Sequence, residues 1–236
     1  MSEPNDKQQN DPPFDAEAYR TDLGVAVDVA FYENPLAPDV REKLIEFGVL
    51  LADRARLFNL TRLTSPKEMA VLHFLDTFHL SRVLNPSSGT VCDIGTGAGV
   101  PGIPLAILRP DLRVTMLDGK AKKVRFVEEC IATVGVKNAR ALHERAEEHL
   151  RQTRYGAGVL RAAVKPMRMM EILSETRSPL ELVVFMLGGE GDAIARTIKS
   201  SRYKPAFLER YSLPGQQKER FLAGFQLKKK RHRNWR

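Results

Sequence analysis

The sequence is poor in cysteine and tryptophan and lacks long apolar runs. Its 236 residues include two cysteines and one tryptophan. Cys92 and Cys130 have neither the paired spacing of a zinc site nor the density of a disulfide framework, so we expect both to be core thiols. No run approaches the roughly 18 consecutive apolar residues of a transmembrane helix, and the N-terminus is polar rather than signal-like. These absences predict a cytoplasmic protein with no metal and no membrane partner.

Positive charge, in contrast, is concentrated at the C-terminus. The formal net charge is +8, and six basic residues lie within the last nine positions. Such a segment is either a solvated tail or an arm that binds a polyanion. Trp235 favours the arm, because an indole among cations can stack on an unpaired base. The candidate RNA-binding residues are Lys228, Lys229, Lys230, Arg231, Arg233 and Arg236.

Composition and periodicity divide the chain into four parts. The first is rich in Asn, Asp, Gln and Pro, which predicts a disordered leader. In the second, apolar residues recur at three- and four-residue spacing from Pro38 onward, and Ser65 and Glu68 form a helix-start pattern. The predicted parts are a leader (1–22), an N-terminal helical extension (23–85), a main domain (86–227) and a basic tail (228–236).

The main domain alternates short apolar runs with helical periodicity, which predicts an α/β fold with a doubly wound, mostly parallel sheet. Its last two runs are joined by Pro214–Lys218, too short for a helix, so we expect a C-terminal antiparallel hairpin at the sheet edge. The third strand should end near Ala146. The predicted strands are 90–94, 112–117, 139–142, 159–164, 182–187, 206–213 and 221–227, and the helices 104–108, 122–134, 167–174 and 192–199.

A glycine loop follows the first predicted strand, with Gly95, Gly97 and Gly99 in alternate positions. Glycines after a buried strand let the backbone approach a ligand closely, so this loop predicts a nucleotide-type cofactor. The run Gly97–Gly102 also satisfies the dinucleotide pattern G-x-G-x-x-G, which leaves the cofactor open.

Two features favour S-adenosylmethionine over a nicotinamide dinucleotide. Asp93 at the strand end should repel a pyrophosphate but attract a sulfonium and an ammonium. Pro101 and Pro104 remove N–H donors that a dinucleotide helix offers to phosphate. Asp118 lies 23 residues after Gly95, near the roughly 20-residue offset at which an acid meets ribose hydroxyls.

These residues resemble the bacterial small-subunit ribosomal RNA methyltransferase G family, also called glucose-inhibited division protein B. The resemblance spans roughly 38–165 and is most specific in D-I-G-T-G-A-G-V-P-G-I-P-L-A-I, from Asp93 to Ile107. The other matching positions are Asn59-Leu60-Thr61, His73 and Asp76 in H-x-x-D, Asp118, Lys123, Arg125-Phe126, Ala146-Glu147 and Arg161-Ala162.

The resemblance implies a class I, Rossmann-like S-adenosylmethionine-dependent methyltransferase that methylates guanine N7 in 16S ribosomal RNA, naked or in the small ribosomal subunit. We expect a monomer. Guanine N7 has a lone pair and no proton, so we assign no catalytic base. We expect the rate enhancement to come from the proximity and orientation of donor and acceptor. The resemblance places cofactor contacts on Gly95, Val100, Ala146, Glu147 and Arg161. Our reading of the residues adds Asp93, Gly97, Gly99 and Asp118.

Two further points concern residues around this core. His73 lies three residues before Asp76 on a predicted helix, and we expect the two side chains to form a structural hydrogen-bonding pair.

In its C-terminal half the sequence departs from the family. Where the family usually carries an aspartate, a serine and a lysine, this chain has Gly156, Leu160 and Leu187.

Overall fold

A computed structural model describes residues 13–58, 60–161, 165–175 and 180–228. Its N-terminal part is helical, and Ser65 caps the third helix with the reciprocal Ser65–Glu68 bonds predicted from the sequence. No helix in these ranges combines the length and apolar character that a membrane crossing requires. The helices are α1 (Ala16–Ala30), α2 (Pro38–Phe58), α3 (Pro66–Glu68), a π-helical segment (Met69–Leu75) and α4 (Asp76–Val83).

The remainder is the predicted α/β domain. Its helices are α5 (Gly102–Leu108), α6 (Ala121–Val134), α7 (Ala146–Gln152), α8 (Pro166–Glu175) and α9 (Gly191–Thr197). Its strands are β1 (Thr90–Ile94), β2 (Arg113–Leu117), β3 (Ala139–Leu142), β4 (Tyr155–Arg161), β5 (Leu180–Gly188), β6 (Tyr203–Tyr211) and β7 (Arg220–Leu227).

The described strands form one seven-stranded sheet in the order β3-β2-β1-β4-β5-β7-β6. The first five strands are parallel, whereas β7 pairs antiparallel with both β5 and β6. The mostly parallel sheet and the edge hairpin are therefore confirmed. Strand order reverses between β1 and β4, and the crevice at the carboxyl ends of such strands is where open α/β sheets bind ligands.

The core explains why the strands are almost continuously apolar. The central strands are buried on both faces: Cys92 and Ile94 of β1 lie in one apolar cluster, while Val91 lies in the other. The helical extension covers the face of the sheet on which Val91 lies, and there α2 contacts α5 and α6. Both cysteines are buried, as predicted. Burial raises the pKa of the Cys130 thiol to about 12.

The predicted boundary of the leader at residue 22 is wrong, because α1 begins at Ala16. Asp15 caps this helix by accepting hydrogen bonds from the amides of Glu17 and Ala18. Leu23 and Val27 are buried against the other helices, which supplies the apolar contact that the polar composition concealed. Residues 1–12 of the predicted leader lie outside the described residues.

Other boundaries also differ from prediction. Strand β3 has the predicted range 139–142, but Ala146, near which we also expected the third strand to end, begins α7, which periodicity had not predicted. Strand β4 begins at Tyr155 rather than Val159, and its glycines serve close packing. A Cβ on Gly156 would lie 2.6 Å from the side chains of Pro86 and Ser88.

The junction of α1 and α2 yields a stability prediction. A Cβ on Gly48 would lie 2.4 Å from Cδ2 of Leu23, a fully buried side chain. We expect Gly48→Ala to lower the unfolding free energy by about 1–3 kcal/mol, because overpacking outweighs the better helix propensity of alanine. Urea denaturation measures the change.

Gly24→Ala is the matched control, since Gly24 also lies inside a helix. The atom nearest to its Cβ would be the end of the Arg41 side chain, 3.1 Å away, and Cδ1 of Ile45 would lie at an ordinary contact distance of 3.8 Å. The Arg41 side chain can shift, so this variant should be as stable as the wild type or more so. Equal losses in the two variants would contradict the packing argument.

Candidate cofactor site

A cavity of about 540 Å³ opens at the carboxyl ends of β1, β2 and β4. This volume lies within the roughly 300–1,000 Å³ typical of small-molecule sites. Seven of the nine predicted cofactor residues line it, and they come from the glycine loop, the end of β2, the start of α7 and the end of β4. They are Gly95, Gly97, Val100, Asp118, Ala146, Glu147 and Arg161.

Backbone hydrogen bonds fix the glycine loop beside β2. The amides of Gly95 and Thr96 both donate to the carbonyl of Leu117, at 2.9 Å. The amide of Gly97 donates to Oδ2 of Asp118 at 3.0 Å, and that of Lys120 donates to Oδ1 at 2.9 Å. Gly95 and Gly97 have φ values of 73° and 61°, a region that favours glycine. Asp118 therefore orders the loop and still borders the cavity.

Asp93 and Gly99 are the two predicted contacts that do not line the cavity. Asp93 is 1% exposed, and its Oδ2 accepts hydrogen bonds from Oγ1 of Thr96 (2.6 Å) and the amide of Gly102 (2.9 Å). Burial raises the pKa of this carboxyl to about 6, although both hydrogen bonds lower it in part. In this structure Asp93 holds the loop to α5 and does not face the cavity.

Glycines adapt to this buried carboxylate. A Cβ on Gly102 would lie 2.7 Å from Oδ2 of Asp93 and 2.4 Å from the side chain of Met116. A Cβ on Gly99, whose φ is 82°, would lie 2.7 Å from Cδ1 of Ile103. Packing of the loop therefore disfavours a side chain at both positions.

The amino end of α5 offers few donors to a phosphate. The amide of Gly102 donates to Asp93, that of Ile103 donates to the carbonyl of Gly99, and Pro104 has no N–H. The first-turn amides that a dinucleotide site requires are therefore engaged or missing. This geometry supports the preference for S-adenosylmethionine that the sequence suggested.

Arg161 lies at the end of β4, beside an ionic cluster that joins distant parts of the chain. Oδ1 of Asp76, at the start of α4, accepts from the hydroxyl of Tyr211 (2.6 Å), and Oδ2 accepts from Nη2 of Arg220 (2.7 Å). Nε of Arg161 lies 4.0 Å from the same Oδ2. Nη1 of Arg161 is buried and has no hydrogen-bond partner among the residues that the structure describes. The cluster thus lies beside Arg161 at the cavity, and within the described part of the chain one donor of Arg161 is unused.

The predicted His73–Asp76 pair is wrong. The carboxylate of Asp76 is occupied by the hairpin, and His73 lines the cavity instead. The π-helical segment between α3 and α4 has a wider turn than an α-helix, so residues three apart no longer share a face. Burial and the nearby Arg161 lower the pKa of His73 to about 3, so the imidazole is neutral.

Sequence reasoning did not assign several cations around the cavity. Lys120 just before α6, Lys123 in its first turn and Arg145 before α7 contribute to the lining. Lys123 matched the resembled family, which was the available signal, whereas Lys120 and Arg145 follow strand ends without a motif. Among the described residues no cluster of three or more His, Cys, Asp or Glu side chains is arranged for a metal.

The three departures from the family fall in two places. Gly156 packs beneath Pro86 and Ser88, away from the cavity. Leu160 and Leu187 both line a second cavity of about 420 Å³, which shares Arg161 with the first.

Of the predicted RNA-binding tail only Lys228 is described. Its ammonium donates to the carbonyls of Ser200 and Ser201, and the other five residues lie outside the described range.

Comparison with known proteins gives a consistent result. Residues 40–217 match the family model described as rRNA small subunit methyltransferase G. A ribosomal RNA small subunit methyltransferase G from Desulforamulus reducens is 37% identical over 160 residues, 64% of each chain. One from Ralstonia nicotianae is 33% identical over 80% of this chain and 87% of its own. Against several relatives the match is shorter, and it spans 58% of that from Xanthomonas campestris.

Among solved structures, M. capricolum TrmK in complex with S-adenosyl-homocysteine has a TM-score of 0.51. It is 12% identical, over 65% of this chain and 68% of its own. This similarity concerns the fold alone.

The buried Asp93 carboxyl predicts a pH dependence. Its pKa is about 6 in the folded protein and 3.8 ordinarily, so folding favours the protonated form. Its contribution to stability is complete below about pH 4 and is lost as pH rises to about 6. We expect Asp93→Asn to remove this loss, which corresponds to up to about 3 kcal/mol. Urea unfolding of both proteins from pH 4 to 8 measures it.

Asp111→Asn is the control, because a hydrogen bond from Arg109 lowers the pKa of this exposed carboxyl. Its contribution is lost as pH falls, so the Asp111 variant should follow the wild type between pH 4 and 8. Parallel curves for the wild type and Asp93→Asn across pH 4–6 would disprove the assignment.

Proposed function

The chain belongs to the rRNA small subunit methyltransferase G family, and from that premise we propose that it transfers a methyl group from S-adenosylmethionine to N7 of a guanine in 16S ribosomal RNA. The observation that carries the proposal is the convergence of the predicted cofactor contacts on one cavity. Glycine loop, Asp118, Ala146–Glu147 and Arg161 come from separate segments, and the fold brings them together.

The cavity lining fits the groups of S-adenosylmethionine. Asp118 and Glu147 supply carboxylates for ribose hydroxyls and cationic groups, while Lys123 and Arg161 supply cations for the amino-acid carboxylate. Ala146 is the first residue of α7, and the side chain of the N-cap residue Arg145 makes no capping hydrogen bond. The backbone amide of Ala146 is therefore suited to donate a hydrogen bond to an edge of adenine. Asp93 and Gly99 support the loop from behind, and Gly97 allows its close approach.

Bound there, S-adenosylmethionine supplies a methyl group on a sulfonium: the N7 lone pair forms the new bond as the carbon–sulfur bond breaks and its electron pair returns to sulfur. No proton leaves N7, so the protein needs no base. Neutral His73, whose pKa is lowered to about 3, is not required as one. The chain's contribution is to hold donor and acceptor in line and to exclude water, which can supply several kcal/mol.

The proposal extends to partners and location. We propose that the protein acts as a cytoplasmic monomer on 16S ribosomal RNA or the small ribosomal subunit, without a membrane and without a metal. A metal is unnecessary because the acceptor nitrogen needs no activation and the leaving group is neutral. We further propose that the basic residues from Lys229 to Arg236 bind RNA phosphates, whereas Lys228, the sixth tail residue predicted from the sequence, is engaged by the carbonyls of Ser200 and Ser201.

Adjacent glutamates of α7 provide a test of the cofactor site. Glu147 lines the cavity, whereas Glu148 is exposed and does not. We expect Glu147→Gln to weaken S-adenosylmethionine binding about tenfold, because a hydrogen bond to a charged group is worth about 1.5–3 kcal/mol. Glu148→Gln should bind as the wild type does. Titration calorimetry measures both.

Methylation is tested on RNA from cells that lack the protein. Added enzyme and S-adenosylmethionine should restore one 7-methylguanine to the 16S ribosomal RNA. Cofactor binding without methyl transfer would favour an RNA-binding or assembly factor that kept the fold. Failure to bind S-adenosylmethionine would reject the enzyme, and tighter binding of NAD would indicate an oxidoreductase.

The tail is tested through the salt dependence of RNA affinity. Replacing Lys229, Lys230, Arg231, Arg233 and Arg236 with Gln should reduce the log–log slope by up to about 4, since each phosphate contact contributes about 0.7 to 0.9. Lys228→Gln is the control, because that ammonium is already engaged by carbonyls. Filter binding between 50 and 300 mM salt gives the slopes. An unchanged slope in the fivefold variant would mean a merely solvated tail.

A further inference from the structure

A cavity of about 420 Å³ lies at the amino ends of β1 to β4, on the opposite side of the domain from the proposed cofactor site. Its lining comes from the starts of these four strands and from the connections that lead into β3 and β4. The cofactor cavity lies at the carboxyl ends of three of the same strands. Since β4 has seven residues, about 20 Å separate the two sites.

The charge around this amino-edge cavity is of one sign. Its lining includes four cations and, among the described residues, no aspartate or glutamate. Cations held close together repel one another, so an anion bound among them removes an unfavourable interaction. All four side chains are exposed to solvent and can reach such an anion. The four cations are Arg113, Lys137, Arg140 and Arg154.

The sheet register holds two of these cations in place. Arg113 pairs with Thr90 of β1, and Arg140 pairs with Thr115 of β2, so these side chains share one face of the sheet. Nε of Arg140 donates to Oγ1 of Thr115 at 3.1 Å, and Nη2 of Arg113 donates to the carbonyl of Ser88 at 3.2 Å. A guanidinium has five N–H donors. Each arginine is therefore positioned and keeps donors for an anion.

The other two cations form no hydrogen bond or ion pair with the described part of the chain. Lys137 follows the end of α6 by three residues, and Arg154 follows the end of α7 by two. A cation near the carboxyl end of a helix interacts favourably with the helix dipole. That role explains one cation at each helix, but it does not explain why four cations share one cavity.

The predicted RNA-binding tail starts on the same side of the domain. Strand β7 is antiparallel to β5, and Gln226 near its end pairs with Leu182 near the start of β5. The chain therefore leaves β7 where the parallel strands begin. Two strand spacings, about 10 Å, separate β7 from β4 in the sheet. One long polyanion can therefore contact both the amino-edge cavity and the tail.

The width of the cavity favours a row of phosphates over a single phosphate group. The cavity reaches from β3 to β4, which is three strand spacings or about 14 Å. Its cations lie on four separate segments along that width. Guanidinium groups bind phosphate oxygens through charge-assisted and often bidentate hydrogen bonds. An RNA backbone supplies phosphates in such a row.

We propose, on the basis of the RNA substrate proposed above, that the amino-edge cavity binds backbone phosphates of that RNA about 20 Å from the reacting guanine. Phosphate contacts fix the position and orientation of a nucleic acid and carry no base specificity directly. The RNA must then extend from the carboxyl ends of the strands to their amino ends. A large folded RNA can make both contacts at once, whereas a short fragment cannot.

Neutralising the two cations without partners tests the site. Lys137→Gln combined with Arg154→Gln should reduce the log–log salt slope for 16S ribosomal RNA by about 1.4 to 1.8, because two phosphate contacts are lost. Affinity should fall about tenfold or more at about 150 mM salt. KM for the RNA should rise, while kcat and S-adenosylmethionine binding stay unchanged. Filter binding and steady-state methylation measure these effects.

The matched control keeps the charge at both positions. Lys137→Arg combined with Arg154→Lys should retain the wild-type slope, since each phosphate still meets a cation. Cations that served only the ends of α6 and α7 would make the Gln variant melt at a lower temperature with an unchanged salt slope. That result would overturn the proposal.

Lysine footprinting tests the same site in the wild-type protein, where no substitution can disturb folding. Acetylation by an N-hydroxysuccinimide ester, followed by mass spectrometry, reports whether the ammonium of Lys137 is covered. We expect 16S ribosomal RNA to protect Lys137 at low salt and to lose this effect at high salt. Millimolar AMP identifies the source of the phosphate. Protection by AMP as strong as that by RNA would overturn the assignment in favour of a free nucleotide.

These measurements separate the amino-edge cavity from the methyl-transfer function, because binding and footprinting need no turnover. Protection of Lys137 by RNA without methylation would reject the enzymatic activity alone. Methylation of 16S ribosomal RNA with Lys137 unprotected and the salt slope of the Gln variant unchanged would reject the cavity alone.

Discussion

The buried carboxylate of Asp76 is the interaction on which the arrangement of the site depends. Asp76 is fully inaccessible, and an unpaired charge in such a place is strongly destabilising. Its partners come from the far end of the chain, since Tyr211 and Arg220 belong to the hairpin strands β6 and β7. The charge is tolerable only when the helical extension and the hairpin meet. Arg161 lies at their junction and therefore takes its position from both.

The same logic operates at the glycine loop with a different carboxylate. Asp93 is buried behind the loop and satisfied by Thr96 and Gly102, whereas Asp118 binds two amides and also reaches the cavity. One acid orders the loop from inside, and the other orders it from the ligand side. The anchors that shape the cavity are therefore internal to the fold.

Sequence reasoning succeeded where a local pattern has one structural solution. The strand–glycine-loop–helix unit, the capping box at Ser65 and the edge hairpin each follow from spacing within a few residues. It failed where tertiary contacts decide. The burial of Asp93, the wider turn that separates His73 from Asp76, and the packing of α1 depend on partners distant in sequence. The early start of β4 also depends on such contacts, because Pro86 and Ser88 of a neighbouring loop pack against Gly156.

The positions at which this chain departs from the family pattern are unevenly distributed between the two cavities. The predicted cofactor contacts that line the first cavity match the family, whereas Leu160 and Leu187 line the second cavity only. Arg161 belongs to both and is retained. A polar-to-apolar exchange in one wall removes hydrogen-bonding groups there, so a ligand in that wall must offer apolar surface to avoid unsatisfied polar atoms. The departures thus lie outside the predicted cofactor contacts, and Arg161, beside the Asp76 cluster, is a side chain that the two cavities share.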